Sequence, residues 1–214
     1  MALAWHPIGL ALVDTVINLA RSPWNREALD QTWQQTGWPP PEGGSLAKQI
    51  LDDEEWPMVP AGEWNVGVII NGESTRVRGF SVGFALFYEP DDIWDPDPDP
   101  DLIDFPQHIP SDIWRIDRTA DRTRFRGVWE EGHRTVAQRL GAPNVIDDGW
   151  NDDSEWQHAV WRLGARLVIV AQGDDITTYS LYDEASLQVI DYPDDRPIPT
   201  GWDLHGLLLG SNLE

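Results

Sequence analysis

Asn71-Gly72 stands between two runs rich in β-formers, 64–70 and 80–88, and this dipeptide is the strongest short-range signal for a β-hairpin. The return strand is expected from about Ser74, with Arg76, Arg78 and Phe80 on one face. At least one antiparallel pair is therefore written into the first half of the chain.

Helical signals surround it. Leu12, Val16, Leu19 and Ala20 recur at helical spacing and predict a helix over 8–21, interrupted by Ser22-Pro23. Asn25 suits the N-cap of a second helix over 26–36, and Gly37 ends it. Trp38-Pro39-Pro40-Pro41 forbids continuation, and 45–51 adds a short helical turn. In the second half a helix over 123–140 stops at Gly141-Ala142-Pro143. Strands are expected over 157–163 and 166–171, with a turn at Gln172-Gly173-Asp174-Asp175, a return over 176–182, and a last strand over 187–191. Pro193, Pro197, Pro199 and Gly201 predict an irregular tail, anchored on the core by Leu207-Leu208-Leu209.

These elements define an α+β fold, helices packed on antiparallel sheet. Residues 26–39 and 130–143 share one pattern, a helix closed by Gly-x-Pro, each followed by strands, which suggests two divergent helix-plus-hairpin repeats. The expected organisation is an α+β half over 1–90, an acidic linker over 91–110, a second α+β half over 111–192 and a tail over 193–214. The parts can pack as one unit. The Asp-Pro alternation from Asp95 to Asp101 excludes helix and sheet and favours polyproline II.

Charge narrows the function classes. Thirty-seven acids face 15 bases, a net charge of −22, and the excess lies in both halves. Such a field repels phosphate backbones and anionic membranes and draws basic partners inward. Neither nucleic acid nor membrane is an expected partner. The absence of cysteine removes disulfides and thiolate metal sites. The first residues lack the basic region and long apolar core of a signal peptide, and the apolar stretch over 8–19 is broken by Asp14 and Asn18. A cytoplasmic location is expected.

No motif carries chemistry. Asp95, Asp97, Asp99 and Asp101 alternate like the opening of a calcium loop, but its sixth and twelfth positions would be Pro100 and Pro106 instead of Gly and Glu. His6, His108, His133, His158 and His205 are not paired at helical metal-site spacing. Nucleophile-elbow, P-loop and dinucleotide fingerprints are missing. No catalysis, cofactor or metal is expected. Arg115, Arg118, Arg122, Arg124, Arg126, Arg134 and Arg139 are expected to pair with the chain's own acidic loops, with a nucleic-acid footprint the weaker alternative.

Ten of the thirteen tryptophans fall into two groups. Trp24, Trp33, Trp64, Trp129 and Trp161 fall in predicted elements and belong to the core. Trp38, Trp56, Trp94, Trp150 and Trp202 fall in loops beside Pro, Gly or acids, the anatomy of a hot spot for a basic partner. Lids folded back on the core and a carbohydrate platform are the other readings. Two contact patches follow: Asp147, Asp148, Trp150, Asp152, Asp153 and Glu155, and Asp91, Asp92, Trp94, Asp95 and Asp97.

In overall character the chain resembles the immunity proteins that accompany bacterial, especially actinobacterial, polymorphic toxins. The features nearest to them are Trp33-x-x-x-Gly37-Trp38-Pro39, the acidic turn at 172–175 and the loop 147–155. The resemblance implies a stoichiometric inhibitor that occludes a basic cognate toxin domain and performs no chemistry itself. A chaperone or adaptor for a basic secreted protein, and an enzyme with no sequence-visible site, are the alternatives.

Overall fold

The computed structural model describes residues 1–52, 58–71, 76–88, 113–147, 156–174 and 182–208. Its strands are β1 (Ala2–Trp5), β2 (Met58–Ala61), β3 (Trp64–Asn71), β4 (Arg76–Tyr88), β5 (Arg115–Asp117), β6 (Val145–Asp147), β7 (His158–Arg162), β8 (Arg166–Asp174) and β9 (Asp183–Asp191). Its helices are α1 (Leu10–Arg21), α2 (Arg26–Thr36), α3 (Leu46–Asp52), α4 (Arg122–Leu140) and α5 (Gly201–Leu208). The fold is α+β, as the sequence predicts.

All nine strands join one antiparallel sheet in the order β2-β3-β4-β9-β8-β7-β6. β1 pairs with β4 beyond the end of β3, and β5 pairs with β1. Strands of both halves of the chain meet in the middle, where β4 pairs with β9 from Gly79↔Ile190 to Phe87↔Asp183. The order is symmetric about that pair: β2-β3-β4 on one side mirrors β7-β8-β9 on the other. The helix stops are also alike, since Gly37 and Gly141 both adopt φ of +76°, a left-handed value natural to glycine.

Capping explains where the helices begin. Asn25 Oδ1 accepts the Ala28 N–H at 2.9 Å, and Asp121 Oδ1 accepts the Arg124 N–H at 2.8 Å. The main core lies on one face of the sheet. Val66, Val68, Phe80, Val82, Val168 and Val170 meet α1 and α4 there, with Trp33 1% exposed and Phe125 fully buried. Trp129 Nε1 donates to the Val170 carbonyl at 3.1 Å and ties α4 to β8. On the opposite face Val160, Leu167, Ile169 and Ile190 are covered by Leu204 and Leu207 of α5. Cover on both faces is why 167–171 reads Leu-Val-Ile-Val-Ala without alternation.

Several expectations change. The turn at Gln172-Gly173-Asp174 is strand, because β8 continues against β9 to Asp174↔Asp183. Residues 175–181, most of the expected return, lie outside the described residues, and β9 begins at Asp183 instead of 187. The tail is irregular only to Thr200 and then forms α5. β1, β2, β5 and β6 were not expected; all are short and three lie at sheet edges. The hairpin is present, but Asn71 pairs with Arg76, so 72–75 connect the strands and lie outside the described residues. The linker 91–110 lies outside them too. No helix among the described residues is long and apolar enough to cross a membrane.

The central pairing leaves no room at Gly79. A Cβ there would stand 2.7 Å from the Val189 carbonyl oxygen and 3.0 Å from Ile69 Cδ1. Gly79→Ala is expected to cost about 1–3 kcal/mol, the usual range for overpacking. Urea unfolding checks this, and an unchanged midpoint would refute the close approach.

Candidate functional site

Of the eleven residues placed in contact patches, only Asp147 is among the described residues. Asp148, Trp150, Asp152, Asp153 and Glu155, and Asp91, Asp92, Trp94, Asp95 and Asp97, lie outside them. Asp147 ends β6 and is half-buried. Its Oδ2 accepts the N–H of Gly201, the first residue of α5. That N–H would otherwise be an unpartnered helix-terminal donor, and the carboxylate also suits the positive end of the helix. Asp147 thus seats α5 from within the molecule.

His158 stands opposite Asp147 in the β6–β7 register and is 2% exposed. His205 of α5 is also buried and stacks on Trp156, ring centroids 4.9 Å apart. Burial lowers the His158 pKa to about 4; Asp147 opposes this shift and His205 adds to it. The ring is therefore neutral at pH 7. Among the described residues no group of three His, Cys, Asp or Glu side chains is placed to hold a metal ion.

A second constellation surrounds the exit from β1. His6 donates its backbone N–H to Phe84 O at 2.9 Å, and its ring stacks on Trp64 at 4.1 Å with 4° between planes. Trp114 is tilted against the same ring at 6.4 Å. Burial lowers the His6 pKa and Arg115 adds to this, while Glu63, 3.9 Å away, opposes it. Beside it a cleft of about 220 Å³ opens between Pro7-Ile8 and α4. Small-molecule sites are commonly about 300–1,000 Å³, so this space is small for a substrate.

The tryptophans fall largely as read. Trp24, Trp33, Trp129 and Trp161 are core, at 7%, 1%, 4% and 2% exposed, while Trp64 packs half-buried against it. Trp38 is a lid: it is half-buried, lies 5.0 Å from the Trp33 ring and packs on the core. Trp56, Trp94 and Trp150 lie outside the described residues. Missed by sequence reasoning were Asp147's inward role, the buried His158 and His205, and the cleft. Only the alternation of β7, which puts His158 on one face with Val160, hints at any of them.

Five arginines tie elements of the fold together. Arg122 bonds Asp183 of β9, and Arg166 bonds Asp191 while lying 4.1 Å from the Trp24 ring centroid. Arg139 grips Asp14 of α1 through two bonds of 2.6 and 3.0 Å. Arg124 lies over Trp5 at 4.8 Å, and Arg162 donates to the carbonyls of Pro193 and Arg196. Of the seven clustered arginines, Arg122 and Arg139 pair with acids of β9 and α1, whereas the acidic loops expected to receive them lie, apart from Asp147, outside the described residues. Compared with known proteins, the chain matches no family model, no curated protein and no solved structure.

Two measurements follow. His158 titrates at about 4 in the folded protein against an ordinary 6.5, so the unfolded chain takes up its proton first as pH falls. Stabilisation that is complete above pH 6.5 is lost progressively down to pH 4, by about 3 kcal/mol at 1.36 kcal/mol per unit. Subtracting the pH–stability profile of His158→Gln from that of the wild type should expose this slope, and parallel profiles would contradict it. Asp147→Ala should raise amide hydrogen exchange over 201–204 at least fivefold. Unchanged protection there would show that the carboxylate does not seat α5.

Proposed function

We infer that this chain is a binding protein that captures and occludes a basic protein partner, as an immunity protein does with its toxin domain. The observation that carries the reading is the division of charge. The sequence holds −22, and the arginines described above are spent on Asp14, Asp183, Asp191, aromatic rings and main-chain carbonyls. Among the described residues, Glu42, Glu63, Glu130, Glu131, Asp194 and Asp195 face solvent. An outward acidic surface raises the rate of encounter with a basic surface, and buried apolar anchors slow release.

The chemistry of occlusion needs no reacting group in this chain. It needs a surface that covers the partner's own active cleft and carboxylates that replace the anion bound there. The salt dependence of the rates is the first consequence. Raising NaCl from 50 to 500 mM should slow association with the cognate partner about 10–100-fold and change dissociation little. The partner is obtained by pull-down from lysate and secretome at low salt, and its activity is then titrated. One equivalent should abolish it. A partner that stays fully active in the 1:1 complex, or an association rate indifferent to salt, would refute the inhibitor reading.

A further inference from the structure

Two imidazoles are shut between α5 and the sheet. His158 of β7 and His205 of α5 are both buried, and they come from different elements. They lie close enough that a charge on His205 bears on His158. Burial disfavours the charged form of each ring, and two like charges in one small core disfavour it further.

Little around them offsets such charge. Across the sheet, the row of His158 holds Asp147 of β6, Ala171 of β8 and Ser186 of β9. Asp147 favours the charged ring, but its Oδ2 is already engaged by the Gly201 N–H at the start of α5. The next charged residue on that face of β9 is Glu184, set opposite Gly173 of β8. Farther along β7 stands a cation, Arg162, which donates to the carbonyls of Pro193 and Arg196. On α5 itself Asp203 is exposed, and His205 is stacked on the neutral ring of Trp156.

The helix over these rings is short. α5 has eight residues and covers Val160, Leu167, Ile169 and Ile190 with Leu204 and Leu207. An element with so few buried contacts opens more readily than the strands at the centre of a sheet. When it opens, His205 leaves with the helix and His158 is left on an uncovered sheet face. Both rings are then hydrated and regain ordinary proton affinity. The open form binds more protons than the shut form, so falling pH draws the equilibrium toward it.

We propose that α5 is an acid-released flap: proton uptake by His158 and His205 detaches the helix from β7 and β8 while the sheet beneath stays folded, uncovering the apolar face of Val160, Leu167, Ile169 and Ile190. That face is shut at neutral pH and open to contact in acid. The device is independent of the inhibitor reading.

Hydrogen exchange of the full chain, read by mass spectrometry and corrected for the intrinsic rate at each pH, measures the opening. One ring held at about 4 when shut and at its ordinary 6.5 when open raises the opening constant about sevenfold between pH 6.0 and 5.0. Two rings multiply their effects. Protection over 201–208 should therefore fall about 20-fold or more in the wild type and about sevenfold in His205→Gln. Residues 80–86, in the central pairing, should keep theirs. An equal fall in the wild type, His158→Gln and His205→Gln would take the imidazoles out of the device. An equal loss over 80–86 would make the event global unfolding and remove the flap. Constant protection over 201–208 in the wild type would overturn the proposal without any variant, so it stays testable if a variant fails to fold.

Discussion

The pairing of β4 with β9 is the contact on which the rest of the fold depends. It joins strands from distant parts of the sequence, from Gly79↔Ile190 to Phe87↔Asp183, and places both halves of the chain in one sheet. Without it β2-β3-β4 would be a small meander with one covered face, and such sheets are marginal alone. With it, α1 and α4 lie side by side over the middle of a continuous surface, and their shared core includes Phe84, Phe125 and Trp129. The register is unforgiving at Gly79, where two backbones approach too closely for any side chain. It is adjustable near Gly83, where a bulge shifts the pairing by one residue and lets β4 run on to meet β1.

That continuity creates the need for α5. The half of the sheet made by β7, β8 and β9 is apolar on both faces, and the second face must be covered. The chain returns after β9, pinned by Arg162 on the carbonyls of Pro193 and Arg196 and by Tyr192 Oη donating to Pro197 O. It then lays Leu204 and Leu207 over Ile169 and Leu167. Asp147 holds the first turn of that helix, and Trp156 meets His205 near its end. Asp147 and Trp156, the described residues on either side of 148–155, thus both meet α5.

What could be read from the sequence was what local chemistry decides. α2 is legible because its cap and its stop, Asn25 and Gly37, flank it directly. The hairpin strands are legible from composition. Gln172-Gly173-Asp174 has turn residues yet forms strand, because Gly173 and Asp174 find partners in Glu184 and Asp183 and no local preference outweighs that ladder. α5 follows a Pro-rich approach and forms because a sheet face needs covering. β1 was not read as an element at all and is a strand because β4 and β5 flank it. The cleft was illegible for a plainer reason. Its walls come from residues 7–8, 84 and 128–138, which no spacing rule connects.

The charge distribution links stability to recognition. A chain at −22 repels itself, and this favours expansion. Its few cations are therefore most effective where they bind separate elements together. Arg139 joins α4 to α1, Arg122 joins α4 to β9, and Arg166 crosses from β8 to β9 over Trp24. Each neutralises a carboxylate at a junction. The same economy of cations that holds the helices on the sheet leaves Glu42, Glu63, Glu130, Glu131, Asp194 and Asp195 facing solvent.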